Sequence, residues 1–257
     1  MSQINRGRKL TFTLVLMVLL IPAFNVYAIL EESNKFENQD LNQGMEMFSQ
    51  ARKMFYNAED AIAEVRKLLE MSRKTMEKAP DGWEKSYQLA QIEFMLGEMA
   101  EYPGDKKAAA EHFTESNRLS SQALEENPNS SEATRLLSDT IMRLMPYKGG
   151  FYTMSQGPKA LNMVKKALSL DPKNYTAMNS LGVYYLNAPA IGGGSTEKGI
   201  RILQQALESK DEFDNFISNV WLGRAYQKKK NQSKAEKYFQ KALQIYPNSP
   251  WVKGMLK

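Results

Sequence analysis

Three stretches in the second half of the chain repeat one another without gaps: Ala160-Leu161 to Pro172, Gly199-Ile200 to Asp211, and Ala235-Glu236 to Pro247. At offset four they carry Val164, Leu203 and Phe239; at offsets seven and eight they carry Ala167-Leu168, Ala206-Leu207 and Ala242-Leu243. Apolar positions at i, i+4 and i+7 mark one face of a helix. Each stretch follows a second helical pattern: Leu137-Ser138-x-x-Ile141, Leu181-Gly182-x-x-Tyr185 and Leu222-Gly223-x-x-Tyr226. The small residue lets a partner helix come close, and the residue three positions on fills the gap between helices. One antiparallel pair cannot bury both of its faces, so such pairs stack on their neighbours. The repeat therefore predicts an all-α chain of stacked helix pairs.

The punctuation agrees. Asn127-Pro128-Asn129-Ser130, Asp171-Pro172-Lys173-Asn174 and Tyr246-Pro247-Asn248-Ser249 each place a proline where one helix stops and an Asn or Ser where the next can be capped. Upstream, Trp83 to Ala100 reads as the first helix of a pair, and Met45 to Lys78 as one long helix or two.

The pattern Leu-Gly, Tyr, Ala, aromatic, Ala, Pro resembles the tetratricopeptide repeat and is met in full from Leu222 to Pro247, where Gly223 and Ala235 stand 12 residues apart. The two preceding repeats carry insertions between their helices: Gly182 to Gly199 spans 17 and Ser138 to Ala160 spans 22. The extra residues, Ala188 to Gly194 and Tyr147 to Tyr152, are expected as long inter-helix loops. Further upstream, Ala123-Leu124 and Pro128 keep the end of the pattern, but Ser116 and Ser120 sit where packing residues belong. The resemblance implies a right-handed superhelix, with a degenerate helical region over 29–130 and tetratricopeptide-like repeats over 131–257. It also implies an inner groove built by first-helix positions: Arg135, Asp139 and Met142, then Asn179, Val183 and Leu186, then Val220, Arg224 and Gln227. Tyr147, Phe151 and Tyr152 of the longer insertion are expected to add a soft aromatic lining beside that groove. The Lys/Asn carboxylate clamp of the family's chaperone-binding members has no counterpart here.

A narrower resemblance rests on the helix Tyr87-Gln88-Leu89-Ala90…Phe94-Met95-Leu96-Gly97-Glu98 and the insertion Pro189-x-x-Gly192-Gly193-Gly194. Together with the export signal described below, these look like the T-components of tripartite ATP-independent periplasmic (TRAP) transporters. That resemblance implies a solute-binding protein as partner, an apolar or amphiphilic ligand in an internal cavity, and homo-oligomers. Most members carry a lipid-anchored cysteine, which this chain lacks.

Residues 1–28 read as a signal peptide: Arg6, Arg8 and Lys9 precede the apolar run Leu10 to Ile21, then Pro22, with Val26-Tyr27-Ala28 as the cleavage site. The mature protein is expected in the periplasm or secreted. The alternative is an uncleaved N-terminus that tethers an envelope-assembly scaffold and is the chain's one membrane contact. Removal of that segment leaves 31 Lys+Arg against 29 Asp+Glu, so the basic balance of the whole chain carries no nucleic-acid inference.

Catalytic chemistry has little to work with. The chain has no cysteine and one histidine, His112, which reads as a solvated helix residue. The stretch Ile191 to Lys198 is a helix cap and not a phosphate loop, because no strand precedes it and Lys198 falls inside the next helix. Acidic pairs such as Glu125-Glu126 fall at helix ends, and Lys228-Lys229-Lys230 reads as a solvated turn. No cofactor, metal or enzymatic activity is expected; the reading is a non-catalytic binder of a partner protein.

Overall fold

The computed structural model describes residues 39–58 and 62–256; residues 1–28, expected as a signal peptide, lie outside the described residues. Among the described residues there are ten α-helices, one short 3-10 helix and no strand. The helices are α1 (Gln39–Asn57), α2 (Ile62–Met76), α3 (Trp83–Glu101), α4 (Lys106–Glu126), α5 (Ser131–Leu170), α6 (Tyr175–Asn187), α7 (Thr196–Ala206), α8 (Glu212–Lys228), α9 (Gln232–Ile245) and α10 (Pro250–Met255). The 3-10 helix Ala190–Gly192 lies between α6 and α7.

Five antiparallel pairs stack in chain order into a superhelix: α1/α2, α3/α4, the two arms of α5, α6/α7 and α8/α9, with α10 packed on the last. The Met45 to Lys78 stretch is thus two helices. The 40-residue α5 bends at Gly149, whose φ of 82 and ψ of −177 suit a residue without Cβ. The residues expected as a loop here, Tyr147 to Tyr152, therefore extend both helices toward an elbow. Tyr147 and Tyr152 hold that elbow down by packing with Phe113, Ala109 and Leu144.

Caps define most helix starts. Asp105, Ser130, Asn174, Ser195, Asp211 and Asn231 each accept a backbone N–H of the helix that follows. Ser130 and Asn174 are the residues expected from the punctuation, whereas Ser249 makes no such bond. Ser195 accepts from the Lys198 N–H, which fixes this segment as a cap with Lys198 inside α7.

Within a pair, closeness depends on glycine. An ideal Cβ on Gly223 would lie 2.4 Å from the Phe239 ring, on Gly182 2.5 Å from Leu203, and on Gly97 2.6 Å from the Phe113 ring. Phe113, Leu203 and Phe239 are fully buried. In the third pair the Ser138 hydroxyl donates to the Ala160 carbonyl at 2.8 Å, a polar version of the same contact. Ser116 and Ser120, out of place by the repeat pattern, are fully buried in α4 and donate to the Ala90 and Ser116 carbonyls, each at 2.7 Å. Those bonds satisfy hydroxyls that burial would otherwise penalise.

The ends of the array meet. Tyr56 of α1 sits among Phe213, Phe216 and Trp251, with ring centroids 5.0, 5.8 and 6.2 Å away. The Asn57 side-chain oxygen accepts from the Asn248 backbone N–H at 2.8 Å. The first pair thus closes the array against the last.

Candidate functional site

Closure turns the concave side into a central cavity of about 950 Å³. Its wall is built mainly by the first helix of every pair, with Ile62 of α2 and Pro250 and Trp251 of α10. One side is aromatic and aliphatic: Phe48, Phe55 and Tyr56 from α1, Phe213, Ile217 and Trp221 from α8. The facing side, from α3, α5 and α6, carries buried charge.

Arg135 is the centre of that charged side and is 7% exposed. Its guanidinium donates to Glu132 at 3.1 Å, to the Tyr87 hydroxyl at 3.1 Å and to Asp139 at 3.2 Å. Ser180 of α6 donates to Asp139 at 2.9 Å, so the network ties three pairs together. Burial works against the Arg135 charge, but Tyr87, Glu132 and Asp139 together hold its pKa above the ordinary value. Asp139 is pushed up by burial against the pull of Arg135 and Ser180, and Tyr87 is pushed up mainly by burial.

A second arginine, Arg143, pairs with Glu101 and lies 3.5 Å from Glu98. Its guanidinium also sits 5.1 Å above the Phe113 ring. Glu98 accepts from the Tyr56 hydroxyl at 2.8 Å and Glu101 from the Tyr147 hydroxyl at 2.5 Å. Burial raises Glu98, and the same cause, with Glu101 beside it, pushes Tyr147 up to about 12. Arg52 and Arg224 are held differently, over the rings of Phe213 at 4.2 Å and Trp221 at 4.7 Å. Arg135 and Arg143 each keep a buried Nε–H with no protein acceptor. Donors in that condition are costly unless something accepts from them.

Of the residues expected in the groove, Arg135, Asp139, Met142, Asn179, Val183 and Arg224 line this cavity. The others lie elsewhere. Leu186 and Val220 are buried in the core because they point between helices. Gln227 donates to the Met255 carbonyl at 3.1 Å. Tyr147 and Tyr152 pack on Phe113, and Phe151 is 89% exposed on the elbow. The cavity also takes in Tyr87, Glu98, Arg52 and Tyr56 of the first two pairs, which the sequence reading left out. The first pair keeps little of the repeat pattern, and no periodic signal marks a fold that closes end to end.

His112 is a correction as well. Its Nδ1 lies 2.7 Å from Glu93, a buried carboxylate that also pairs with Arg73. Among the described residues no group of three or more His, Cys, Asp and Glu could hold a metal, and no helix is long and apolar enough to cross a membrane.

Comparison with known proteins matches residues 218–249 to the tetratricopeptide repeat family. No curated protein matches the sequence. Among solved structures, a thermophilic TPR protein of Thermus thermophilus is similar at 18% identity, with a TM-score of 0.59 over 86% of this chain and 96% of that one. YrrB, described as a TPR protein with an unusual peptide-binding site, aligns at 19% identity and a TM-score of 0.42, over 81% of this chain and 96% of its own. MamA aligns at 18% identity and a TM-score of 0.36, over 71% and 91%. The chain has the fold of a tetratricopeptide-type helical repeat protein, and its segment 218–249 matches that repeat family directly.

Proposed function

We propose that this is a non-catalytic periplasmic repeat protein whose central cavity holds a small amphiphile and whose body engages a partner protein, a TRAP-transporter solute-binding component. The observation that carries the ligand reading is the cavity itself. A volume of about 950 Å³ lies within the range of small-molecule sites and is too small for a folded partner. Its aromatic side suits an apolar body, and the arginine, carboxylate and amide side chains of the facing wall suit a polar head. The carboxylates that share the wall already pair with Arg135 and Arg143, so the head need not be a full anion.

The partner reading rests on the resemblance carried by Tyr87 to Glu98 and by Pro189 to Gly194, and on the general use of repeat arrays as binding surfaces. With the inner face given over to the ligand cavity, the partner meets the outer face or an edge.

The test is titration of the purified protein with a fluorescent fatty acid, followed by mass spectrometry of what co-purifies. Saturable binding at one site per chain is expected, and Val183→Trp, which fills the cavity from α6, should abolish it. Binding that is unsaturable, or unchanged in Val183→Trp, overturns the ligand reading. Co-purification with a solute-binding protein encoded beside a TRAP permease tests the partner. The mass of the isolated protein tests location: a first residue of Ile29 supports release, and an intact Met1 supports the tethered scaffold instead.

A further inference from the structure

In a stacked array the turns inside each pair fall along one edge and the turns between pairs along the other. From the second pair to the fifth, the within-pair turns here are joined to one another. Arg143 and Tyr147 of α5 bind Glu101 at the end of α3. A Cβ on Gly193, between α6 and α7, would lie 3.7 Å from Leu161 of α5. Lys228 of α8 donates to the Leu186 carbonyl at 2.7 Å, and Lys229 pairs with Glu197 at 2.9 Å. These turns therefore form one continuous edge.

That edge collects the most exposed large apolar side chains described: Tyr102 at 67%, Phe151 at 89%, Met154 at 81% and Ile191 at 99%. Each stands on a turn or the elbow, and Phe151 and Met154 share a helix face three residues apart. Between them lie exposed Lys106, Lys107, Lys148, Lys159, Lys198 and Lys230. The acids described on these turns are engaged: Glu101 with Arg143, Asp105 as the cap of α4, and Glu197 with Lys229. On the opposite edge acids outnumber cations: exposed Asp81, Glu125, Glu126, Asp171 and Asp211 stand against exposed Lys78, Lys173 and Lys210, with Asp81 paired to Lys85 and Asp211 capping α8.

We propose that this edge docks on an anionic lipid bilayer, with Phe151, Met154 and Ile191 entering the headgroup boundary and the lysines facing lipid phosphates. A protein partner rewards a contiguous apolar centre with a polar rim. Here the apolar groups stand on separate turns with cations between them. A bilayer accepts such side chains one at a time, and its negative surface attracts the lysines that surround them. The inference is independent of what the cavity holds.

The chain has no cysteine, so single cysteines at Ile191, Phe151 and, on the opposite edge, Asn129 can carry a polarity-sensitive fluorophore on the protein as isolated from cells. Vesicles of mixed phosphatidylglycerol and phosphatidylcholine should shift the emission at 191 and 151 to the blue and leave 129 unchanged. Pure phosphatidylcholine should give no shift, and added salt should reduce it. With the label at 191, joint Phe151→Ser and Met154→Ser should weaken vesicle binding about a hundredfold, and Lys148→Glu with Lys230→Glu about tenfold or more. Emission that stays water-like at 151 and 191, or shifts equally at 129, overturns the proposal. A shift that grows with protein concentration without lipid assigns the edge to a second copy and overturns it as well.

Discussion

Replacing Gly223 by alanine tests the packing rule on which the helix pairs depend. The added methyl carbon would lie 2.4, 2.6 and 2.8 Å from three atoms of the Phe239 ring. Carbon atoms pack at about 3.5–4.0 Å, so the ring or the whole of α9 must retreat by roughly 1 Å. Phe239 is fully buried among Phe216, Val220, Ala235, Ala242 and Tyr246, so there is no free space to take it. Overpacking of this kind costs about 1–3 kcal/mol, and a rigid buried ring puts the cost near the top of that range. Alanine regains about 1 kcal/mol of helix propensity over glycine, which leaves a net loss of about 2 kcal/mol. Gly254→Ala in α10 is the control, since nothing lies within 4 Å of its Cβ position and propensity acts alone there. Phe239→Ala costs about 3–5 kcal/mol by itself, and adding Gly223→Ala to it should cost almost nothing more. Urea unfolding followed by tryptophan fluorescence in a Trp83→Phe background, where only Trp221 and Trp251 emit, reports the C-terminal pair, and far-ultraviolet circular dichroism reports the whole array. A Gly223→Ala protein as stable as wild type, or a double variant whose losses simply add, would refute the reasoning.

Three other perturbations reach the cavity and the insertion. Burial raises the Glu98 carboxyl above its ordinary 4.5, so the folded chain keeps that proton to higher pH than the unfolded chain, and wild-type stability falls as pH rises from the ordinary value through the raised one. Glu98→Gln removes that titration and should gain on wild type in thermal unfolding as pH rises above the ordinary carboxylate range; a pH-independent difference contradicts it. Arg135→Met leaves the buried Asp139 carboxylate without its cation and should cost about 3–5 kcal/mol in urea, most of it recovered when Asp139→Leu is added. A Cβ at Gly194 would lie 1.8 Å from the Ala188 carbonyl oxygen, so Gly194→Ala should open the segment 188–195 to limited proteolysis while global unfolding stays within about 0.5 kcal/mol.

The C-terminal three pairs were legible because their contacts are local and periodic. Gly182, Gly223, Val164, Leu203 and Phe239 all stand where the pattern put them, in buried contacts between the helices of a pair. The second pair follows the same rule, but its register was missed. Gly97, Ala109 and Phe113 have the same spacing as Gly223, Ala235 and Phe239, and they make the same glycine-on-ring contact. What hid it is length: α4 has 21 residues against 14 in α9, so a register counted back from Pro128 lands on Ser116 and Ser120. Gly149 and Gly150 are breakers by composition, so the sequence alone points to a loop at the elbow of α5. One glycine conformation suffices for the bend, and the flanking residues stay helical because Tyr147 and Tyr152 are anchored on Phe113. His112 depended on a carboxylate of another helix, a pairing that no spacing along one helix encodes.

Closure was the least legible feature and has the largest consequence for the site. The Asn57 and Asn248 contact joins residues 191 apart, and nothing periodic marks either partner. An open repeat array exposes its first-helix faces to water, where isolated arginines and carboxylates need no fixed partners. Once the ends meet, the same faces look into a cavity, and each buried charge must be answered. The structure answers them with ion pairs for Arg135 and Arg143 and with an aromatic face for Arg52, while Arg224, over Trp221, stays exposed. The closing contact itself is built from the α1 residues that give the cavity much of its apolar side, Tyr56 above all. Stability of the seam and shape of the cavity are therefore properties of the same side chains, and a change that loosens one alters the other.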